Sequence, residues 1–225
     1  MAASGQDGQD RSGIAPYSAV ITDFDGTIVT KDLSLLVLER FGLPGWREYD
    51  QRLEMGEMSI EPSLRAQYGM VRAGSKTEVL RYARRHSKLR DGFADLSRAC
   101  GARGVALVVV SAGLDFCIED ALRKFRLKVD RLVCPRSKFT PNGIEVAFPP
   151  ARPDSRNFKE SVVADFAARG VRSVYAGDGY SDFYPASRAD KVFAVADSVL
   201  ARECMKNGVR FTPFTNFRQM LGVVS

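Results

Sequence analysis

Carboxylates stand in this chain at spacings where they ought to repel one another. Asp23 and Asp25 are separated by Phe24 alone, and Asp178 and Asp182 share the turn Gly177-Asp178-Gly179-Tyr180-Ser181-Asp182. Such crowding is useful where a cation, a proton or a charge developing in a reaction compensates it. The plainer reading of Asp23-Phe24-Asp25-Gly26-Thr27 is an acidic turn capping the next helix, and glycine-rich turns like 177–182 are common in their own right. Ser111, followed by Ala112-Gly113, precedes a helical stretch. A hydroxyl and backbone N–H groups there can hold phosphate oxygens, or the serine is simply an N-cap. Lys159 opens another helical stretch and on its own reads as a solvated lysine.

What could bring these residues together is the pattern around them. Short apolar runs at 19–22, 105–110, 173–176 and 192–195 end at Asp23, at Ser111, at Gly177-Asp178 and just before Asp197. Runs of this kind suit a parallel sheet covered on both faces. Helix-period stretches at 93–102, 115–125, 158–169 and 199–206 alternate with them, which predicts an α/β fold with a doubly wound, Rossmann-like parallel sheet. Ligands of such sheets bind outside the carboxyl ends of the strands, where the candidate residues fall. From 32 to 88 there is only helical patterning broken by glycine and proline, so a small helical cap inserted after the first strand is expected. Residues 138–140 and 144–148 flank Pro141-Asn142-Gly143, a hairpin signal, expected as an appendage of the core.

The resulting division is a polar, disordered tail over 1–15, a core domain from 16–31 and 89–225, and a cap over 32–88. A chain of 225 residues, 45% of them hydrophobic, has material for one sizeable core and a modest module. No apolar run approaches the roughly 18 residues of a membrane span and the first residues lack a signal-peptide core, so a cytoplasmic protein is expected, with no membrane partner. The four cysteines are dispersed, which favours buried thiols over a zinc or disulfide framework. A net charge of +6 is compatible with an anionic substrate. The basic run Arg81, Arg84, Arg85, Lys88 and Arg90 has no interleaved aromatics and reads as a solvated helix face, so no nucleic-acid partner is expected. His86 and Trp46 read as an exposed helical histidine and a cap-core aromatic.

Taken in order, Asp23 and Asp25, Ser111, Lys159, then Asp178 and Asp182 resemble the four motifs of the haloacid dehalogenase superfamily. From about 19 to 218 the chain looks like the subgroup containing phosphoserine phosphatases. It is more similar still to the methionine-salvage 2-hydroxy-3-keto-5-methylthiopentenyl-1-phosphate phosphatases, on the strength of 23–28 with Asp32, Phe41 with Pro44 and Trp46, 111–116, and Phe214 with Phe217. The resemblance implies a Mg2+-dependent phosphatase of a small phosphorylated metabolite. Asp23 would become an aspartyl-phosphate, and Asp25 would act as acid and then base. Mg2+ would be held by the Asp23 carboxylate, the Asp25 backbone carbonyl and Asp178, with Asp182 steering a coordinated water. Ser111, Lys159 and backbone N–H groups around Gly26 and Ala112 would bind the phosphoryl oxygens.

Specificity residues also follow from the resemblance. Phosphoserine phosphatases hold the substrate amine with a glutamate nine residues after the nucleophile and its carboxylate with a cap arginine. Here those positions carry Asp32 and Gln67, with Arg65 two residues from the second, and Ser181 stands where they have asparagine. Loss of the arginine clamp argues against phosphoserine. Bacterial methionine-salvage members carry a cysteine-rich insertion before the motif lysine, and 149–157 contains none. With departures from both subgroups, the expected activity is hydrolysis of a small phosphorylated metabolite, methionine-salvage-like, with the ester itself left unnamed. Phosphoserine phosphatase, phosphotransferase or phosphomutase, and a non-catalytic phosphometabolite-binding protein are the alternatives.

Overall fold

The first strand, β1 (Ala19–Thr22), is buried at every residue, the environment an unbroken apolar run suits. After it the chain turns into four helices, α1 (Leu33–Phe41), α2 (Arg47–Glu54), α3 (Ile60–Gly69) and α4 (Lys76–His86), then α5 (Phe93–Arg103). It continues through β2 (Ala106–Val110), α6 (Asp115–Lys124), β3 (Arg131–Val133), the pair β4 (Arg136–Thr140) and β5 (Gly143–Ala147), α7 (Phe158–Ala168) and β6 (Ser173–Gly177). Last come α8 (Phe183–Arg188), β7 (Lys191–Val195), α9 (Val199–Lys206) and β8 (Thr212–Phe214). This computed structural model describes residues 17–72, 74 and 76–225, so the tail expected over 1–15 lies outside the described residues.

Six strands form one sheet in the order β3-β2-β1-β6-β7-β8, and every pairing in it is parallel. The chain builds outward from β1 in one direction and then from β6 in the other, so the expected doubly wound α/β sheet is present. Its topological switch point lies between β1 and β6. Side chains alternate between faces along each strand. Val20, Leu107, Val109 and Val174 join Phe93 of α5 and Ile118 of α6 in one apolar layer. Ile21, Val108, Val110 and Tyr175 join Phe158 and Val163 of α7 and Leu200 of α9 in the other. The edge strands β3 and β8 had no counterpart in the sequence reading. Each is three residues long and β8 contains Pro213, too short and irregular for a periodic signal.

The segment holding α1–α4 leaves and rejoins the sheet through one paired crossing. Val29 bridges Leu89, the Thr30 N–H donates to the Lys88 carbonyl at 2.9 Å, and the Arg90 N–H donates to the Ile28 carbonyl at 2.8 Å. A third apolar cluster joins Val37, Leu38, Trp46, Tyr68 and Val79 of this segment to Ile144 and Val146 of β5. The hairpin expected as an appendage of the core thus packs on α3, and Arg65 and Arg72 donate to its Val146 and Asn142 carbonyls. Its turn is the pair Pro141-Asn142, and Gly143 pairs with Thr140 inside the ladder. Gly143 has φ +135°, and a Cβ there would lie 2.0 Å from the Gly69 carbonyl oxygen, so only glycine permits this contact.

The free cysteines, Cys100, Cys117, Cys134 and Cys204, are all buried, as expected. Among the described residues no helix is long and apolar enough to cross a membrane. Gly143→Ala should lower stability by more than about 1 kcal/mol, because backbone strain and a backbone clash act together. Gly101→Ala, at an exposed position of α5 where a Cβ meets nothing within 4 Å, should raise it by about 0.5–1 kcal/mol. Chemical denaturation of the two variants checks both signs.

Candidate active site

Asp23 follows β1 directly, and its N–H still donates to the Ala176 carbonyl of β6 at 2.8 Å, so the sheet ladder fixes its backbone. Phe24 turns into the core, while Asp25 and Gly26 emerge, half-buried. Gly26 has φ +72°, and a Cβ there would sit 2.2 Å from the Asp178 Oδ2, so glycine lets this loop lie against the end of β6. Thr27 donates its hydroxyl to the Asp178 Oδ1 at 2.5 Å. Arg90 donates to the Gly26 and Thr27 carbonyls at 2.6 and 2.7 Å and anchors the loop from the far side. Arg90 therefore departs from the solvated face expected of the basic run, whereas Arg81, Arg84, Arg85 and Lys88 are exposed.

Lys159, in the first turn of α7, is 2% exposed rather than solvated. Its Nζ lies 2.7 Å from the Asp23 Oδ1 and 2.8 Å from the Asp182 Oδ1. Burial depresses the ammonium, but the charges of Asp182 and Asp23 more than offset this and hold its proton firmly. Asp182 is fully buried and saturated. Oδ1 accepts from Lys159 and from the Tyr175 hydroxyl at 2.7 Å, and Oδ2 accepts the N–H groups of Asp178 and Gly179 at 3.0 and 2.8 Å. Four donors fill a carboxylate's acceptor sites, so Asp182 positions the Asp178 loop and Lys159 more directly than it could ligate an ion.

Asp25 and Ser111 line the same cavity and both approach Gly113. Its oxygens accept from the Leu33 N–H at 3.0 Å and the Ser34 hydroxyl at 2.9 Å, so the helix-capping reading of the acidic turn is partly realised while Asp32 serves as the N-cap of α1. Withdrawal from water, then the charge of Asp32, pushes the Asp25 carboxyl up to about 8. Burial, then the charge of Asp182, pushes Asp178 up to about 7, and the same two causes raise Asp23 well above the carboxylate range against the pull of Lys159. Ser111 is buried, and its hydroxyl accepts the Gly113 N–H at 3.1 Å. The N-cap of α6 is Leu114, so the capping alternative for Ser111 does not hold. A Cβ on Gly113 would be 2.4 Å from the Asp25 Oδ2, which measures how closely the end of β2 approaches Asp25.

A cavity of about 220 Å³ opens over these groups. Asp23, Asp25, Ser111, Ala112, Lys159 and Asp178 line it, and so do Asp32, Gln67 and Ser181, so the expected residues converge on one space apart from Gly26 and Asp182, which contact Asp178. The Ser181 carbonyl is held by the Asn157 amide at 3.1 Å. Trp46 is buried in the third cluster and also lines the cavity. His86 lies off it, half-buried against Tyr82. Sequence reasoning missed Tyr175, Ser34, Asp50 and the role of Arg90. Nothing in local composition marks a strand tyrosine or a helical serine as facing a site.

A divalent cation can be tested against the donor set. Oxygens of Asp23, Asp178 and Asp182 lie within 4.8 Å of one another, and among the described residues Oδ2 of Asp23 and of Asp178 has no hydrogen-bond partner. Four carboxylates here face one buried ammonium, an excess of negative charge and of hard oxygen that Mg2+ would match.

A family model described as "haloacid dehalogenase-like hydrolase" matches residues 20–187. The 2-hydroxy-3-keto-5-methylthiopentenyl-1-phosphate phosphatase of Bacillus mycoides is 25% identical over 207 residues, covering 90% of this chain and 93% of that one. A solved HAD family hydrolase from Salmonella enterica serovar Typhi has TM-score 0.74 at 17% identity, covering 93% of this chain and 72% of that one. A phosphoserine phosphatase, solved as a phospho-aspartyl intermediate analogue, has TM-score 0.70 at 16% identity, covering 93% and 99%. At these identities the solved structures bear on the fold alone. Lys159→Met should cost about 3 kcal/mol of stability, because it leaves two buried carboxylates without their cation. Urea unfolding of wild type and variant measures it.

Proposed function

The chain belongs to the haloacid dehalogenase-like hydrolases, and from that membership and the geometry of its acidic cavity we propose that it is a phosphatase of a small phosphorylated metabolite. The observation that carries this reading is the meeting of Asp23, Asp25, Ser111, Lys159 and Asp178 around one cavity at the switch point of the sheet. Asp23 attacks phosphorus, and the ester oxygen leaves as an alcohol with a proton from Asp25, which lines the same cavity. Asp25 then takes a proton from the water that attacks the aspartyl-phosphate, releasing inorganic phosphate and regenerating Asp23. Lys159, the Ser111 hydroxyl and the Ala112 and Gly26 N–H groups receive the phosphoryl oxygens. Mg2+, when bound, supplies positive charge against the transferring group, and Asp23, Asp178 and the Asp25 carbonyl would hold it, with Asp182 behind them.

Residues 32–88 act as a cap over a core of 16–31 and 89–225, closing the cavity to macromolecules and to bulk water. The methionine-salvage name of the Bacillus relatives makes that ester the first to test. Gln67 in place of a cap cation, with Asp32 and Ser181 beside it, speaks against phosphoserine.

Asp23→Asn should abolish hydrolysis of p-nitrophenyl phosphate in Mg2+, read as nitrophenolate release; retained turnover would remove Asp23 from the nucleophile's role. EDTA should silence the wild-type enzyme and added Mg2+ restore it in the same assay. Turnover indifferent to chelation would contradict the ion-holding role of Asp178.

A further inference from the structure

The part of the cavity that the helical segment lines has a chemistry of its own, set by Gln67 and Asp50. Gln67 lines it and is 2% exposed. Its Nε2 donates to the Asp50 Oδ1 at 2.6 Å and to the Ser63 Oγ at 3.3 Å. Ser63 has already given its own proton to the Tyr49 carbonyl at 3.1 Å, and a carboxylate can only accept. Both neighbours therefore require the amide nitrogen, which fixes the orientation of the amide. The Gln67 Oε1 has no protein partner among the described residues, and Gln67 lines the cavity, so this oxygen can accept from a bound molecule.

Asp50 lines the same part, is half-buried, and makes no ion pair among the described residues. The surrounding wall is apolar, built by Leu38, Trp46, Leu53, Ile60 and Leu64. Lys159 is the one cationic side chain lining the cavity among the described residues, and Asp23 and Asp182 already hold it. A substrate carboxylate beside Gln67 would lose its water, meet no free cation among the described residues and face Asp50. A hydrogen-bond donor there would satisfy Gln67 and Asp50 together.

We propose that Gln67 and Asp50 form a donor-recognising subsite that selects phosphate monoesters whose organic part carries a hydroxyl or ammonium group and no carboxylate. This inference rests on the phosphatase reading and narrows its substrate class. The shared chemistry is the donor, and its two sources are separable. The full-length enzyme in Mg2+ would be given n-alkyl phosphates of two to four carbons and their terminal hydroxyl, amino and carboxyl analogues, with kcat and KM measured for each. The hydroxyl or amino series should exceed the alkyl series in kcat/KM by on the order of tenfold, carried in KM, and the carboxyl series should fall below it. Asp50→Asn should remove an advantage of the amino series and spare that of the hydroxyl series, identifying the source. Gln67→Met should flatten the preference for either, and the wild-type panel decides the matter even if that variant does not fold. Equal efficiency across the panel, or a preference for the carboxyl series, would overturn the subsite and leave the phosphatase reading standing. Turnover of no ester at all would overturn both.

Discussion

Lys159 carries an ammonium into the interior, where an unpaired charge is prohibitively costly, and it is tolerated because the Asp23 and Asp182 carboxylates lie 2.7 and 2.8 Å away. That requirement ties together elements far apart in sequence. Asp23 ends β1, Asp182 closes the turn after β6, and Lys159 sits in the first turn of α7. None of the three side chains can move without stranding a buried charge. A paired buried ion is weak evidence for stability as such, since burial takes back most of what attraction supplies. Its consequence here is positional: Asp23 presents one oxygen to Lys159 and the other to the cavity.

From that anchor the rest of the site follows by close approach. Asp182 spends its second oxygen on the Asp178 and Gly179 N–H groups, which shapes the turn so that Asp178 reaches the Thr27 hydroxyl. Gly26, Gly113 and Gly177 stand where a Cβ would collide with Asp178, Asp25 and Asp182 respectively, so backbone and carboxylates share space that larger residues would fill. The result is negative charge beyond what one ammonium compensates. A divalent cation would offset that excess.

The helical segment lines the cavity with apolar and acceptor groups. Among the described residues it supplies Leu38, Trp46, Gln67 and Asp50 to the cavity and no cation. It is braced by β5, whose Gly143 lies against Gly69 at the end of α3. The hairpin, though it lies in the core half of the chain, thereby braces helices that line the cavity.

How much of this was legible in sequence depended on whether the cause was local. Strand ends carrying Asp23, Ser111 and Asp178 could be read because a buried parallel strand leaves an apolar run and its end is where the run stops. The helical segment showed itself by the lack of such runs, and the family likeness by motif order. Edge strands β3 and β8 left no trace, since three residues are too few for a period. Only the folded chain decided that Lys159 is buried, that Arg90 grips the loop after β1, that Tyr175 holds Asp182 and that Gln67 turns its nitrogen to Asp50. Each of these joins residues distant in sequence, and a partner brought in by tertiary packing leaves no mark on the residues beside it.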